Sequence, residues 1–426
     1  MATSSDMALR RALIYQVYVR NHTPEGTFRA LEGDLPRIRA LGTDIVYLMP
    51  IHPVGVAGKK GTLGCPYAIR DYRAVNPEYG TLEDFIHLAD AVHAQGMKLM
   101  IDVVYNHTSP DSALSCAHPE YFYHAPDGSF GNRFGDWSDV IDLDYNVSAL
   151  WDEQIAALKY WAQYVDGFRA DVASLVPLAF WKAARAACAE VKPDLIWLAE
   201  TVHTSFNCEA RRVGMRIFSD PEGYEAFDME YGYDIRERLD AYWAGKRPLH
   251  EYIDALNAQE ALYPANYLKL RCLENHDQPR IASRVSDARA LRNWHAFLFC
   301  TKGTVMLYAG QERCDANRPS LFDRDLVNWN GADISPFLRR LAELRKAHYP
   351  QNGWFHAEAD DANHAVLARF GDAGCEYAAL ISLHGTPVRM PLNVPEGAYP
   401  ELISGRDICA GAWAETDGEP VILKVR

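Results

Sequence analysis

Short apolar runs alternate with amphipathic helical segments up to about residue 349. The segment 81–96 is typical of the helices, because after a capping Thr81 its apolar residues recur at the i, i+3, i+4, i+7 spacing. Eight strands alternating with helices predict a parallel sheet, which can close into a (β/α)8 barrel. The strand-like runs, rich in β-branched and aromatic residues, lie at residues 13–18, 43–49, 98–105, 167–173, 195–200, 227–228, 267–273 and 304–309, the run at 227–228 being the weakest.

Two regions depart from this alternation. Residues 109–145 are rich in aromatics, Gly, Asp and His, and they are too many for an ordinary connection, so we expect a small domain inserted after the third strand. From residue 349 the pattern changes to a period of two, which predicts an antiparallel β domain. The expected division is therefore 1–108 and 146–348 for the barrel, 109–145 for the inserted domain, and 349–426 for the C-terminal domain.

Several predicted strands end on polar residues that can carry chemistry. In the run 167–173, Arg169 and Asp171 project from the same side of an extended segment. Taken alone, this could be a structural ion pair. Other strands, however, end at His107, Glu200 and Asp277, and the carboxyl ends of barrel strands converge on one face. We therefore expect one concave site that contains all four strand ends.

Charge and hydropathy exclude some classes of partner. A formal net charge of -14 over 426 residues argues against nucleic acid as the main partner, whereas neutral ligands remain open. The longest apolar runs are shorter than a membrane span, and the first residues lack the apolar core of a signal peptide. These features predict a cytoplasmic protein without a membrane partner. The oligomeric state stays open.

Three carboxylates and two histidines in one site fit glycoside cleavage better than metal binding. No HxxxH motif or cysteine cluster appears, so we predict no metal ligand set. Glycoside cleavage by a retaining enzyme needs one ionised carboxylate as nucleophile and one protonated carboxylic acid. Arg169 would favour ionised Asp171, and the apolar residues before Glu200 would favour a protonated acid there. Asp277 and His276 would bind sugar hydroxyls, and Tyr67 offers a face on which a pyranose can stack.

Four segments together resemble the signature regions of the α-amylase family of glycoside hydrolases, of the family 13 type. The resemblance covers nearly the whole chain in the right order. The segments are Asp102–His107, Gly167–Asp171, Glu200 and Asn275–Asp277, with supporting matches at Tyr67 before Asp71, at Ile141–Asp144 and at Gly310–Glu312.

The resemblance implies a fold and a set of roles. The fold would be a (β/α)8 TIM barrel with a small inserted domain after strand 3 and a C-terminal antiparallel β sandwich. The reaction would be retaining cleavage of α-glucosidic bonds, with the two reacting carboxyl groups about 5 to 5.5 Å apart. The implied roles are Asp171 as nucleophile, Glu200 as acid/base and Asp277 as transition-state stabiliser, with Tyr67, His107, Arg169 and His276 lining the subsite for the sugar on the non-reducing side of the scissile bond.

Two departures from the family pattern bear on specificity and on metals. Many α-amylases carry a Lys-His pair shortly after the nucleophile, where this chain has Ser174-Leu175, which weakens the case for an endo-acting starch amylase. Asn106 and Asp142 match positions that bind structural Ca²⁺ in some relatives, whereas the short inserted segment favours solvated polar loop residues. The chemistry itself would need no cofactor.

Three hypotheses about function remain. The favoured one is a hydrolase of α-1,4-linked maltodextrins or starch-derived oligosaccharides that works by double displacement. The second is an α-glucosidase or transglycosylase, because the same glycosyl intermediate can pass to water or to a sugar. The third is a catalytically inactive glycan-binding homologue, against which the intact trio of Asp171, Glu200 and Asp277 argues.

Overall fold

The computed structural model describes residues 5–135 and 137–426, and its centre is a closed barrel of eight parallel strands. Each barrel strand pairs with the next along the chain, and the last pairs with the first. This confirms the (β/α)8 barrel predicted from the sequence. The strands are β1 (Leu13–Val17), β2 (Ile45–Leu48), β3 (Lys98–Val103), β4 (Gly167–Ala170), β5 (Ile196–Ala199), β6 (Met229–Tyr231), β7 (Lys269–Arg271) and β8 (Thr304–Tyr308).

Alternate residues of the strands supply two separate cores. One set, including Ile14, Tyr47 and Met306, fills the inside of the barrel. Their neighbours along the strands, such as Tyr15 and Val46, belong to the large core shared with the surrounding helices. The strands are therefore apolar on both faces, which is why the sequence shows continuous apolar runs there.

The helices surround the barrel, and Thr81 caps one of them through a capping box with Asp84, as its position predicts. The α-helices are Val19–His22, Phe28–Glu32, Leu35–Ala40, Leu82–Ala94, Ala113–Ala117, Ser148–Trp161, Leu178–Ala189, Thr204–Arg212, Asp220–Gly223, Arg236–Trp243, Leu249–Leu262, Ile281–Arg284, Ala288–Cys300 and Ser335–His348, and 3₁₀ helices lie at Met7–Arg11, Pro119–Tyr121, Ala173–Leu175 and Gln311–Arg313. None of the helices in the described parts of the chain has the length and apolar character that a membrane crossing requires.

The sixth strand lies beyond the run that predicted it. β6 begins at Met229, whereas Phe227 and Asp228 precede it. Asp228 serves a different purpose, because its carboxylate accepts hydrogen bonds from Arg185 and from the backbone N–H of Trp197. The predicted position was therefore wrong by about two residues, although the strand exists.

The segment after β3 forms a small excursion at the carboxyl end of the barrel. Two short strands, His107–Thr108 and Ile141–Asp142, pair antiparallel and fix the base of this excursion. The chain returns to the barrel at the helix Ser148–Trp161. This pairing places His107 at the edge of the barrel mouth.

The C-terminal region is an antiparallel β domain, as predicted. A four-stranded sheet and two two-stranded sheets share an apolar core, which gives the layered arrangement of a β sandwich. Asn257 joins this domain to the barrel, because its side chain donates to the carbonyl of Ala357 and accepts from the N–H of the same residue. The strands are β9 (Trp354–Asp360), β10 (Ala365–Gly371), β11 (Glu376–Ser382), β12 (Val388–Pro391), β13 (Gly397–Pro400), β14 (Asp407–Ala410), β15 (Trp413–Thr416) and β16 (Val421–Lys424).

Candidate active site

The carboxyl ends of the barrel strands surround a cavity of about 320 Å³. Six of the seven residues predicted for the site line this cavity, although they come from separate parts of the chain. The seventh, Arg169, is fully buried beneath it. The lining residues are Lys60, Cys65, Tyr67, His107, Trp137, Asp139, Val140, Asp171, Val172, Glu200, His276, Asp277, Leu321 and Phe322.

Arg169 is the electrostatic centre of the site. Its Nη1 donates to both oxygens of Asp102 at 2.8 and 2.9 Å and to Asp171 at 2.8 Å. Its Nη2 lies 2.9 Å from an oxygen of Glu200. Asp171 and Glu200 therefore contact adjacent nitrogens of one guanidinium group, which places the two carboxylates side by side. Because Arg169 contacts both, it does not by itself distinguish which of the two is ionised.

Burial acts on the carboxyl groups of both Asp171 and Glu200. It raises the pKa of Asp171 well above the usual value, and the charge of Glu200 raises it further, while Arg169 opposes the shift. Burial and the charge of Asp277 likewise raise the pKa of Glu200 against Arg169 and the N–H of Val172. Two neighbouring buried carboxylates with one shared cation favour a state in which the pair holds a single proton.

Val172 connects the two carboxylates through a strained backbone. Its φ of 36° and ψ of 46° lie in the left-handed region, which a β-branched residue rarely adopts. This conformation directs the N–H of Val172 at Glu200 Oε2, 2.8 Å away. Strain of this kind costs on the order of 1–3 kcal/mol and is concentrated at functional sites. The residue after Asp171 thus holds the side chain of Glu200 in position.

Asp277 lies opposite this pair and is partly exposed to the cavity. Burial disfavours its charge, but His276, Arg169 and Arg318 outweigh that effect and lower the pKa of Asp277 to about 2. The side-chain oxygen of Asn275 accepts hydrogen bonds from the backbone N–H groups of Asp277 and Gln278. Asp277 is therefore ionised at neutral pH, and its backbone is held in a turn by Asn275.

His276 and Tyr67 form one face of the cavity. Their rings stack with centroids 5.3 Å apart, and Tyr67 Oη lies 2.6 Å from His276 Nε2. Gln16 from β1 contacts the other ring nitrogen of His276 at 2.8 Å. Tyr67 also donates to Asp102 at 3.0 Å. The two rings are thus held at fixed angles by the side chains behind them.

His107 completes the cavity wall on the side of the inserted segment. Burial lowers the pKa of His107 to about 4, so that the imidazole is neutral at neutral pH. Its ring faces Trp137 with centroids 5.4 Å apart. A neutral imidazole beside an aromatic ring can bind a sugar hydroxyl without adding charge to the site.

Sequence reasoning gave no site role to several residues that hold the predicted ones. Asp102 was noted at a strand end, but the structure shows it as the main partner of Arg169, with Tyr47 donating to it at 2.6 Å. Tyr233 accepts a hydrogen bond of 2.6 Å from Asn275 and so supports the turn that carries Asp277. Two signals were available for Asp102, which are its position within an apolar strand and its place in the segment Asp102–His107 that resembles a signature region.

Replacing Asp102 by asparagine is expected to lower the free energy of unfolding by about 1.5–3 kcal/mol, because it weakens the charged hydrogen bonds from buried Arg169, which keeps Asp171 and Glu200 as partners. Urea unfolding followed by circular dichroism measures this change. The matched control is Asp90→Asn on the exposed face of the helix Leu82–Ala94, which should change stability by less than about 0.5 kcal/mol. Equal effects of the two substitutions would show that Asp102 does not anchor Arg169.

Ser174 and Leu175, which stand where many relatives have Lys-His, lie in the 3₁₀ helix Ala173–Leu175. Ser174 is buried, and neither residue lines the cavity. The loop after β4 therefore brings no side chain of this pair to the leaving-group side of the site.

Asn106 and Asp142 meet at the base of the inserted segment, where both are buried, so the expectation of solvated loop residues was wrong. The amide nitrogen of Asn106 lies 3.5 Å from one oxygen of Asp142, and the N–H of Arg133 donates to the other oxygen at 2.7 Å. Burial raises the pKa of Asp142 to about 6. Across residues 5–135 and 137–426, no group of three or more His, Cys, Asp or Glu side chains is arranged to hold a metal ion.

A family model and two solved structures that are similar to this chain all carry the name alpha-amylase. The model of the alpha amylase catalytic domain matches residues 13–121 and 134–336. An alpha-amylase from Lactobacillus plantarum is 42% identical with a TM-score of 0.95, over 98% of this chain and 100% of that chain. A noncanonic maltogenic alpha-amylase from Thermotoga neapolitana is 33% identical with a TM-score of 0.87, over 98% of this chain and 99% of that chain.

A curated relative carries the name of a transferase. Alpha-1,4-glucan:maltose-1-phosphate maltosyltransferase 2 of Streptomyces coelicolor is 28% identical over 93% of this chain, which spans 64% of that protein. A second maltosyltransferase of the same organism is matched over 55% of its length. The family-model match covers more than half of the chain, and the signature residues lie together in one cavity at the barrel mouth. The chain therefore belongs to the α-amylase family of glycoside hydrolases.

Proposed function

We propose that this protein is a retaining glycosidase that cleaves α-1,4-glucosidic bonds of maltodextrins or starch-derived oligosaccharides. The observation that carries the proposal is the contact of Asp171 and Glu200 with adjacent nitrogens of Arg169. Carboxylates held this close favour direct attack by one of them, because an inverting pair needs room for a water between the acid and base. The names of the similar solved structures, which are amylases, support the substrate class.

The proposed reaction has two steps. In the first, Asp171 attacks the anomeric carbon while Glu200 transfers its proton to the leaving glycosidic oxygen, which gives a glycosyl ester on Asp171 and a free sugar. In the second, Glu200 takes a proton from water, and the resulting oxygen nucleophile breaks the ester. Asp277, ionised throughout, stabilises the positive charge that develops on the sugar ring. Tyr67, His107 and His276 bind and orient the same sugar.

Transfer to a second sugar is the alternative outcome of the same intermediate. It is favoured by the names of the curated relatives, which are maltosyltransferases. A sugar hydroxyl would then replace water in the second step. The residues at the cavity would be unchanged, so the division between water and sugar depends on the acceptor side of the site.

We also propose a domain division that follows from this function. Residues 1–108 and 146–348 would form the catalytic barrel, 109–145 the inserted domain that contributes to the cavity wall, and 349–426 the C-terminal β domain. Loss of activity after small deletions in the inserted domain, without loss of cooperative unfolding, would support the assignment.

The test of the proposed function is a product analysis. Purified protein is incubated with maltoheptaose, isomaltose and trehalose in parallel, and products are separated by chromatography. The proposal expects shorter maltooligosaccharides from maltoheptaose alone, with the α anomer as first product by NMR. Products longer than the substrate would favour the transferase. Absence of turnover on all three, with measurable binding of maltoheptaose, would favour a glycan-binding homologue.

Neither the reaction nor the fold is proposed to need a metal ion. Ca²⁺ takes about 6–8 oxygen ligands, whereas Asp142 already accepts the N–H of Arg133. Dialysis against EDTA should therefore leave both kcat and the melting temperature unchanged. A lower melting temperature that Ca²⁺ restores and Mg²⁺ does not would contradict this expectation, and the variant Asp142→Asn would then identify the site.

A further inference from the structure

The cavity is walled mainly from one half of the barrel mouth. In the closed barrel, β8, β1, β2 and β3 are adjacent in that order. The segments that follow β2, β3 and β8 therefore lie on the same side of the barrel mouth. We call this group the donor wall, and its members are Lys60, Cys65, Trp137, Asp139, Val140, Leu321 and Phe322.

The opposite half of the mouth contributes little to the lining. From the loops after β4, β5 and β6, the described lining residues are Asp171, Val172 and Glu200. Glu200 gives its proton to the leaving sugar, so that sugar must lie on the side of β5. The donor wall therefore closes the end of the cavity away from the leaving group, where the non-reducing end of the substrate lies.

Three contacts join the segments of the donor wall. Lys60 Nζ lies 2.9 Å from Asp139 Oδ1, which ties the loop after β2 to the inserted segment. Thr62 donates through its N–H and its hydroxyl to Asp323 at 2.8 and 2.7 Å. The N–H of Leu63 donates to the carbonyl of Phe322 at 2.9 Å. The wall is thus continuous over three segments that are distant in sequence.

The wall is also supported from below. Arg20 is buried, and its Nη1 donates to the carbonyls of Gly64 and Leu321 at 3.0 and 3.2 Å. Gly61 has a φ of 63°, and a Cβ on it would lie 2.6 Å from Cβ of Phe322. The close approach of the two loops therefore requires glycine at this position.

The ion pair of Lys60 and Asp139 differs from an ordinary surface pair. Exposed pairs contribute little, but the side chain of Asp139 is only 5% exposed and both residues line the cavity. Lys60 and Asp139 thus form part of the cavity wall on the side away from Glu200. The cavity volume, about 320 Å³, is at the lower end of the range of about 300–1,000 Å³ for small-molecule sites.

We propose that the donor wall, held by Lys60 and Asp139, makes the enzyme exo-acting, so that it releases glucose or maltose from the non-reducing ends of maltooligosaccharides. This inference rests on the proposed function and adds the direction of attack and the product length. The pair determines specificity by blocking longer donor segments, and it takes no part in the proton transfers.

The test uses maltoheptaose labelled at its reducing end with a fluorophore. In the first tenth of the reaction, the protein is expected to release unlabelled glucose or maltose and to leave the label on fragments shortened by one or two units. A ladder of labelled fragments of all lengths at this stage would overturn the inference while leaving the proposed function intact. Absence of any cleavage would overturn both.

Two variants test the ion pair itself. Lys60→Met and Asp139→Asn should each raise the share of unlabelled products with three or more glucosyl units at least threefold. Lys246→Met is the matched control, because Lys246 is exposed between the helices Arg236–Trp243 and Leu249–Leu262 and does not line the cavity. An unchanged product distribution in both variants, with wild-type melting temperatures, would overturn the role of the pair.

If Lys60→Met or Asp139→Asn fails to fold, a third variant still tests the role of the donor wall. Asp323→Asn weakens the second join of the donor wall, at Thr62, without changing a residue of the cavity lining. It should shift the products in the same direction as Lys60→Met. The labelled-product pattern of the unmodified protein decides by itself whether the donor end is closed.

Discussion

Replacing Asp171 by asparagine should lower kcat on maltoheptaose by on the order of 10⁴-fold or more, the scale of loss found when an enzyme loses its nucleophile. The amide is isosteric with the carboxylate but cannot form the glycosyl ester. The contact with Arg169 would lose its charge, while Arg169 keeps Asp102 as its main partner, so the fold should survive. Initial rates by reducing-sugar assay and a thermal melt measure the two effects.

The control for this variant is Asp152→Asn, an exposed aspartate of the helix Ser148–Trp161. It should retain the wild-type rate. A stronger test uses an α-maltosyl fluoride, which can form the glycosyl ester with the nucleophile without a proton from Glu200. In the background of Glu200→Gln, the protein mass should rise by one glycosyl group, and the addition of Asp171→Asn should abolish the adduct. An adduct that persists would exclude Asp171 as the nucleophile.

Replacing Glu200 by glutamine should lower kcat/KM on maltooligosaccharides by about 10²–10⁴-fold, the usual contribution of general acid catalysis. With an α-maltosyl fluoride, whose leaving group needs no proton, formation of the glycosyl enzyme should be much less affected. Rates of the first step on the two donors measure the difference. Equal losses on both would contradict an acid role for Glu200.

The pH dependence provides an independent check on this assignment. Burial raises the pKa of Glu200, and the active form needs this proton, so kcat/KM should fall as the pH rises through that raised pKa. On the acidic side it should fall as the coupled pair of Asp171 and Glu200 takes up a second proton, because the pair is active with one proton. On α-maltosyl fluoride, whose leaving group needs no proton, the alkaline decline of the first step should be absent in the wild type and in Glu200→Gln alike.

Much of the fold was predictable because the strands are apolar on both faces. The apolar runs at β2 and β8 are hard to interpret as anything other than buried strands. Once eight strands were counted, the strand ends at Asp171, Glu200 and Asp277 could be expected to meet at one face of a barrel. β6 was misplaced because it is only three residues long and its neighbour Phe227 is also buried. The location of a short strand depends on its pairing partners rather than on its own composition.

The parts of the site that could not be predicted depend on contacts between distant segments. Nothing in the sequence around Val172 indicates a left-handed backbone, and the contact of its N–H with Glu200 appears only in the folded chain. Likewise Lys60 and Asp139 lie in two loops whose separation is set by the barrel. Sequence patterns identify residues that are buried or periodic, whereas a single ion pair across loops requires the three-dimensional structure.

The sharing of one guanidinium group by Asp171 and Glu200 has a consequence for the second half of the reaction. Once Asp171 becomes an ester, it is neutral, and one negative charge is removed from beside Arg169. The cation then acts on Glu200 with less competition, so the pKa of Glu200 drops and its carboxylate stays ionised, which is the form that can take a proton from water. When the ester breaks and Asp171 is charged again, the pKa of Glu200 rises, and Glu200 keeps that proton for the next cycle. A single arginine could in this way synchronise the alternation of Glu200 between acid and base with the covalent state of its neighbour.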